Sequence, residues 1–179
     1  MPLHIGFLRA VNVGKRAYPM AELRAALTDA GFEDVETHIQ TGNVRVRTSM
    51  RSQQRVEAAL ERVFEADRGF AVPTVVLRPE ELVQVASDAD ELDAAGAPGF
   101  GHYVSLLKAA PDEGTAAAIE AASLPGERVV VRGRAVHFLY DVPYHEAKLS
   151  NAFVEKTFAL STNRNIRVIR TLAQKWGSA

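Results

Sequence analysis

The sequence predicts an α+β protein of two halves, each with an antiparallel sheet, followed by a C-terminal helix. Short stretches in which apolar and polar residues alternate indicate strands, and apolar residues three and four apart indicate helices. Glycine-containing turns at residues 40–43 and at Gly133 each join two alternating stretches, as in hairpins. The first half has the order strand, helix, strand, strand, helix, strand. Right-handed crossovers then favour four antiparallel strands with two helices on one face.

Local signals set the elements of the first half. Pro19 and Ser52 are residues that begin helices, and Gly31 and Gly69 are residues that end them. The predicted elements are a strand over 3–9, a helix over 19–30, a hairpin of 35–39 and 44–48, a helix over 52–68 and a strand over 72–77.

The second half is predicted to repeat this order after a short acidic helix over 79–86 and a linker over 88–101. Its elements are a strand over 103–107, a helix over 112–122, a hairpin of 128–131 and 135–139, and a helix over 148–158. We therefore assign residues 1–87 to the first half and 102–179 to the second. Over 161–176, Ile166, Ile169 and Trp176 favour a helix with Ser161 or Thr162 as its N-cap, although alternation around Ile166 also suits a strand.

Composition narrows the function classes. The 179 residues are 47% hydrophobic and 24% charged, as in ordinary globular proteins. Cysteine is absent, which excludes thiolate catalysis, cysteine-ligated metals and disulfides. No apolar stretch approaches the length of a membrane span and no secretory signal precedes the first strand. We expect a cytoplasmic protein with no membrane partner and no cofactor.

Charge is uneven along the chain although the formal net charge is only -1. Residues 79–127 hold ten acidic residues and one basic residue, and residues 148–179 hold six basic residues and one acidic residue. This asymmetry predicts either attraction of an anionic ligand to the C-terminal segment or pairing of the two segments inside the fold.

Three polar segments are candidate anion sites. The loop over 8–16 supplies backbone amides and cations, but Arg9 and Arg16 occupy positions where a Walker loop needs glycine and Ser or Thr. The turn over 40–43 supplies amides and a hydroxyl. Residues 162–165 place Arg164 in the predicted first turn of the last helix, where either an anion or a carboxylate of this chain would balance it. The alternative for the first loop is a structural turn in which Asn12 bonds its own backbone.

Other chemistries have less support. The five histidines lack the paired spacings of metal-binding helices. Asp141, His145 and Glu146 share one loop, but Pro143 and Tyr144 between them indicate an ordinary turn, so no metal site is expected. The strand over 44–48 has no aromatic residue, which disfavours RNA binding on an aromatic platform.

Four motifs in order resemble the bacterial family catalogued as domain of unknown function 1697. They are Leu-Arg-Ala-Val-Asn-Val-Gly at 8–14, Ile-Gln-Thr-Gly-Asn-Val at 39–44, Ala-Lys-Leu-Ser at 147–150 and Thr-Asn-Arg-Asn at 162–165. The chain departs from the family pattern at Ala10 and Lys15, where the family has glycine, and at Ile166, where it has tryptophan. The resemblance implies two ferredoxin-like halves and no particular activity.

We hypothesise a pocket between the halves that binds a phosphorylated or otherwise anionic ligand, a nucleotide or a nucleic-acid backbone. The alternatives are a structural or protein-interaction module whose polar motifs form an internal network, and a phosphate-ester hydrolase or transferase. The predicted ligand-binding residues are Arg9, Asn12, Gly14, Lys15, Gln40, Thr41, Gly42, Asn43, Lys148, Thr162, Arg164 and Asn165.

Overall fold

Two four-stranded antiparallel sheets organise the chain, which the computed structural model describes over residues 1–178. The chain divides into two units. One consists of Met1–Glu81 with the last described residues from Trp176 onward, and the other of Leu82–Lys175.

The first unit has the predicted element order. Its strands pair in the order β2-β3-β1-β4, which is the ferredoxin-like arrangement. Ser52 caps α2 by accepting a hydrogen bond from the Arg55 N–H, and Gly69 ends that helix in the left-handed conformation. The elements are β1 (Leu3–Leu8), α1 (Met20–Asp29), β2 (Glu33–His38), β3 (Asn43–Arg47), α2 (Gln53–Arg68) and β4 (Thr74–Leu77).

The hydrophobic core of the first unit lies between its sheet and its two helices. Leu60 and Phe64 follow one another by four residues on α2, so both lie on the same helix face and both are fully buried. They belong to one buried cluster with Leu23 and Leu27 of α1 and Val44 of β3. This packing fixes β1 and β3, whose ends carry the predicted binding segments.

The second unit repeats the same sheet, with strands in the order β6-β7-β5-β8. Taken in chain order within each unit, the four strands occupy the same positions as those of the first sheet. The elements from residue 79 onward are α3 (Pro79–Gly96), β5 (Gly101–Leu107), α4 (Glu113–Ala121), β6 (Glu127–Arg132), β7 (Ala135–Tyr140), α5 (Asn151–Thr157), β8 (Ser161–Asn165) and α6 (Ile166–Trp176).

Two segments differ from the prediction. Residues 88–96, predicted as part of a linker, continue α3 because Ala89 and Leu92 extend the buried helical face that begins at Leu82 and Val85. Residues 161–165, predicted as helix, form the edge strand β8 along β5, with Leu107 opposite Ser161. That strand supplies the sixth element of the second half.

Smaller differences concern element ends. The helix predicted over 148–158 is shorter, since α5 spans only Asn151–Thr157. A 3₁₀ turn at Tyr144–Glu146 precedes it. Ile39, predicted as the last residue of a strand, lies beyond β2 with a φ of 51°. Within residues 1–178, no helix combines the length and the apolar character that crossing a membrane requires.

Candidate functional site

The loop between β1 and α1, residues 9–19, alternates the sign of its φ angles. Ala10, Asn12 and Gly14 each have a φ of 55°, whereas Val11 and Val13 between them have no positive φ. Backbone that alternates in this way directs successive N–H groups toward one concave side, and such concavities bind anions. We call residues 10–15 the β1 nest.

Three consecutive N–H groups of the β1 nest are available. Asn12 N–H donates to the Arg16 carbonyl at 2.8 Å, and Arg16 N–H donates to the Val13 carbonyl at 3.1 Å. In contrast, the N–H groups of Val13, Gly14 and Lys15 have no hydrogen-bond partner within residues 1–178, and all three residues are exposed. Lys15 belongs to the β1 nest, is exposed, and its side chain carries a full positive charge.

Asn12 joins the β1 nest to the turn between β2 and β3. Its Oδ1 accepts from the Tyr18 N–H at 2.8 Å, and its Nδ2 donates to the Tyr18 carbonyl at 3.0 Å. The same Nδ2 donates to the Gln40 carbonyl at 2.7 Å. The structure thus brings two of the three predicted segments together, and Asn12 holds them there with its own side chain.

Gly42 allows the turn to lie directly against the β1 nest. A Cβ atom at this position would be 2.6 Å from Val11 Cγ2 and 2.8 Å from Leu8 Cβ, and the φ of Gly42 is 81°. Both the space and the backbone conformation therefore require glycine. The Gly42 carbonyl accepts the Leu8 N–H at 2.8 Å, which extends the pairing of β1 with β3 into the turn.

The other residues of the turn divide into structural and exposed positions. Asn43 is fully buried, and its Nδ2 donates to the His38 carbonyl at 3.0 Å and to Thr41 Oγ1 at 3.1 Å, so it shapes the turn. Gln40 and Thr41 are exposed. The Gln40 side-chain amide has no partner within residues 1–178, which leaves it available to a ligand.

The two arginines of the loop differ from Lys15. Arg9 is half-buried, and its N–H donates to the Pro73 carbonyl at 2.8 Å. Arg16 donates from Nε to the Ala10 carbonyl at 2.7 Å, and its guanidinium group lies 4.4 Å from the centre of the Phe70 ring. Arg16 therefore stabilises the loop from within, whereas Lys15 is the exposed cation.

The third predicted segment belongs to the second unit and forms a strand. Arg164, expected in the first turn of a helix, lies in β8 opposite Val104 and is 7% exposed. Its Nη1 donates to Thr162 Oγ1 at 2.9 Å and to the Asn163 carbonyl at 2.7 Å, and burial lowers its pKa to about 10. The expectation of a helix start there was wrong, because α6 begins at Ile166, with Asn165 Oδ1 accepting from the Arg167 N–H.

Lys148 also lies in the second unit. Its N–H donates to both carboxylate oxygens of Glu127, at 2.9 and 3.1 Å, and the Leu149 N–H donates to Glu127 Oε2 at 2.7 Å. Glu127 is 5% exposed, so this carboxylate fixes the backbone before α5 from a buried position. The Lys148 side chain is exposed.

A network of hydrogen-bonded polar side chains in the second unit was not predicted. Asp93 Oδ1 is 2.8 Å from His102 Nδ1, and His102 Nε2 is 2.9 Å from His137 Nδ1. Arg170 Nη2 donates to the other oxygen of Asp93. Burial lowers the pKa of both histidines, that of His137 to about 3. With both rings neutral, His102 donates to Asp93 and accepts from His137. Neither nitrogen of His102 is then left for a substrate, whereas Nε2 of His137 is buried and has no hydrogen-bond partner within residues 1–178.

A family model described as "Protein of unknown function (DUF1697)" matches residues 1–137. The chain belongs to this family. No curated protein matches the sequence. Among solved structures, a conserved bacterial protein from Streptococcus pneumoniae is similar, with a TM-score of 0.70 and 23% sequence identity over 98% of each chain. That likeness confirms the fold of two similar α+β halves.

The DUF1697 match covers the β1 nest, the turn and most of the polar network of the second unit, but not Arg170. This network was not predicted from the sequence because its residues are far apart along the chain. The available signal was a histidine in each of two apolar strand segments, at His102 and His137. Only the pairing of β5 with β7 brings these positions to one sheet face.

Proposed function

We propose that the protein binds the phosphate group of a small anionic ligand at the β1 nest and the adjoining turn. The observation that supports it most is the alternation of φ from Ala10 to Gly14, with the consecutive unpartnered N–H groups of residues 13–15. Backbone amides bind phosphate oxygens without regard to the rest of the ligand. Lys15 supplies the countercharge.

The turn supplies the remaining contacts. The exposed amide of Gln40 donates to and accepts from the ligand, and the Thr41 hydroxyl lies next to it in the chain. Arg9 adds positive charge at the start of the loop. Asn12, Gly42 and Asn43 position these groups from beneath rather than through ligand contacts, because their bonds and packing are internal.

A nuclear magnetic resonance titration with inorganic phosphate and with nucleoside monophosphates tests the proposal. We expect the amide resonances of Val13, Gly14 and Lys15 to shift together, and Lys15→Ala to weaken binding by about tenfold, as loss of one charge-assisted hydrogen bond does. Lys156→Ala removes an equally exposed lysine of the second unit and should change nothing. Shifts absent from residues 13–15, or equal in the two variants, contradict the proposal.

The three internal hydrogen bonds of Asn12 favour a second function, a structural module that acts through protein contacts. In that case the motif serves only to hold the loop and the turn together. The two functions separate at Lys15 and Gln40, whose side chains have no partner within residues 1–178. A structural motif has no use for either side chain, whereas a phosphate site requires Lys15.

A further inference from the structure

The opposite end of β1 borders a cavity that the function proposed above does not use. The cavity has a volume of about 360 Å³, and its lining includes His4 of β1, Arg51, Arg78 and the first residues of α3, Pro79 and Glu80. β1 is six residues long, so the cavity and the β1 nest lie about 16 Å apart along the strand. They are separate sites.

His4 carries the polar group that points to a ligand. The residue is 1% exposed, and its Nε2 lies 3.0 Å from the Met50 carbonyl. A carbonyl oxygen only accepts, so Nε2 bears the proton and Nδ1 of the neutral ring is a lone-pair acceptor. Nδ1 is buried and has no partner within residues 1–178. Burial, the largest influence, lowers the pKa of His4 and keeps the ring neutral.

A buried acceptor without a partner is unusual in native proteins. Water, an ion or a ligand group with a hydrogen to donate would satisfy it. Because the lone pair accepts, a bare anion cannot be its partner. A hydroxyl or an N–H group is the kind of partner that would satisfy Nδ1 of His4.

Two arginines give the same cavity a positive charge. Arg51 is exposed and has no ion-pair or hydrogen-bond partner within residues 1–178. Arg78 Nη1 is 3.9 Å from Glu80 Oε1, a distance at the limit of an ion pair between largely exposed groups. The N-terminal end of α3 adds the positive end of a helix dipole at Pro79 and Glu80. The cavity therefore favours an oxyanion.

We propose that this cavity binds a small organic oxyanion that carries a hydroxyl group, of the size of a triose phosphate or a hydroxy acid. The oxyanion lies between Arg51 and Arg78, and the hydroxyl donates to Nδ1 of His4. The volume is at the small end of ligand pockets, which excludes a dinucleotide. Phosphate and carboxylate share this chemistry, and the experiment distinguishes them.

Calorimetric titrations use the full chain carrying Lys15→Ala, which weakens phosphate binding at the β1 nest, and the probes are glycerol 3-phosphate, glycerate and methyl phosphate. Methyl phosphate has the charge but no hydroxyl, so we expect it to bind about tenfold more weakly than glycerol 3-phosphate. Glycerate binding more tightly than glycerol 3-phosphate assigns the site to carboxylates, and glycerate binding more weakly assigns it to phosphates. Both results support a hydroxylated oxyanion, whereas equal affinity for the two phosphates contradicts it.

Substitutions in and outside the cavity test where glycerol 3-phosphate binds. Arg51→Ala and Arg78→Ala should each weaken glycerol 3-phosphate binding at least about tenfold. Arg55→Ala, which removes an exposed arginine of α2 outside the cavity, should not. His4→Phe keeps a ring at this position but has no hydrogen-bond acceptor, so it should abolish the preference over methyl phosphate. If His4→Phe fails to fold, the ¹⁵N resonance of His4 Nδ1 in the unaltered protein gives the same information, because a new hydrogen bond shifts it.

The proposal fails if none of the probes binds, if binding survives both arginine variants, or if the Nδ1 resonance is unmoved by a bound hydroxylated probe. These results are distinguishable from failure of the β1 nest as a phosphate site. That site is reported by the amides of residues 13–15 and by Lys15→Ala, none of which belongs to the cavity.

Discussion

In the loop after β1 and the adjoining turn, some residues fix the backbone conformation and others are available to a ligand. Asn12 combines a left-handed backbone with three hydrogen bonds, to both backbone groups of Tyr18 and to the Gln40 carbonyl. Gln40 contributes only its backbone to this arrangement, because its side chain has no partner within residues 1–178. Two neighbouring amide side chains of similar chemistry therefore have opposite importance for stability.

Asn12→Ala is expected to lower the free energy of unfolding by about 2–3 kcal/mol, because it removes those bonds and strains a residue with positive φ. Gln40→Ala is the matched control and should change the free energy by less than about 0.5 kcal/mol. Urea denaturation followed by circular dichroism measures both. Asn12→Gly permits the left-handed backbone, so the difference between the two Asn12 variants isolates the strain. Equal effects of the Asn12 and Gln40 variants to alanine would contradict this assignment.

At the scale of elements, α3 is stabilised by partners distant in sequence. Arg170 of α6 pairs with Asp90 and with Asp93. Only Asp93 also accepts from His102 of β5, and its side chain is 24% exposed against 67% for Asp90. Asp93 thus joins three elements through groups that are mostly removed from water, whereas Asp90 forms a surface ion pair.

Asp93→Ala should therefore lower the free energy of unfolding by about 2–3 kcal/mol, since it leaves partly buried groups of Arg170 and His102 without a partner. Asp90→Ala should lower it by about 0.5 kcal/mol or less, as loss of an exposed ion pair does. Chemical denaturation of the two variants at neutral pH provides the comparison. The network has no structural role if both substitutions are equally tolerated.

The sequence predicted some elements of the fold and not others, depending on how local their signals are. The loop and turn were predictable because Asn12, Gly14 and Gly42 are short-range signals of left-handed backbone. The strand β8 was not, because its polar sequence, Ser161–Asn165, shows no apolar alternation and depends on pairing with β5 more than fifty residues earlier. The C-terminal half of α3 was predicted as a linker because its residues are small and acidic. In the structure, Asp90 pairs with Arg170 and Asp93 pairs with His102, and these partners are distant in sequence.

At the scale of the whole molecule, buried histidines make stability depend on pH. Burial lowers the pKa of His4, His102 and His137 below 6.5, that of His137 to about 3. Between these native pKa values and 6.5 the unfolded chain binds protons that the folded chain does not. Stability therefore decreases as pH falls through this window, by about 1.4 kcal/mol per pH unit for each such proton.

The free energy of unfolding should fall by at least about 1.6 kcal/mol between pH 6.5 and pH 5, since His137 alone contributes that much when the unfolded ring is half protonated at pH 6.5. Urea denaturation across this range measures the slope. His137→Gln should reduce the slope by the share of one proton, because it removes the buried ring whose pKa is lowered most. A stability that stays constant from pH 6.5 to 5 would show that the buried rings titrate normally.

The continuity of α3 has a practical consequence for dissecting the chain. A cut after residue 87 would halve an 18-residue helix, and neither piece reaches the length at which an isolated helix persists in water. Leu82 and Val85 would remain on one fragment, and Ala89 and Leu92 on the other, each bearing part of one apolar stripe. Expression of either half on its own therefore requires a border outside residues 79–96, so that the helix is kept whole or omitted entirely.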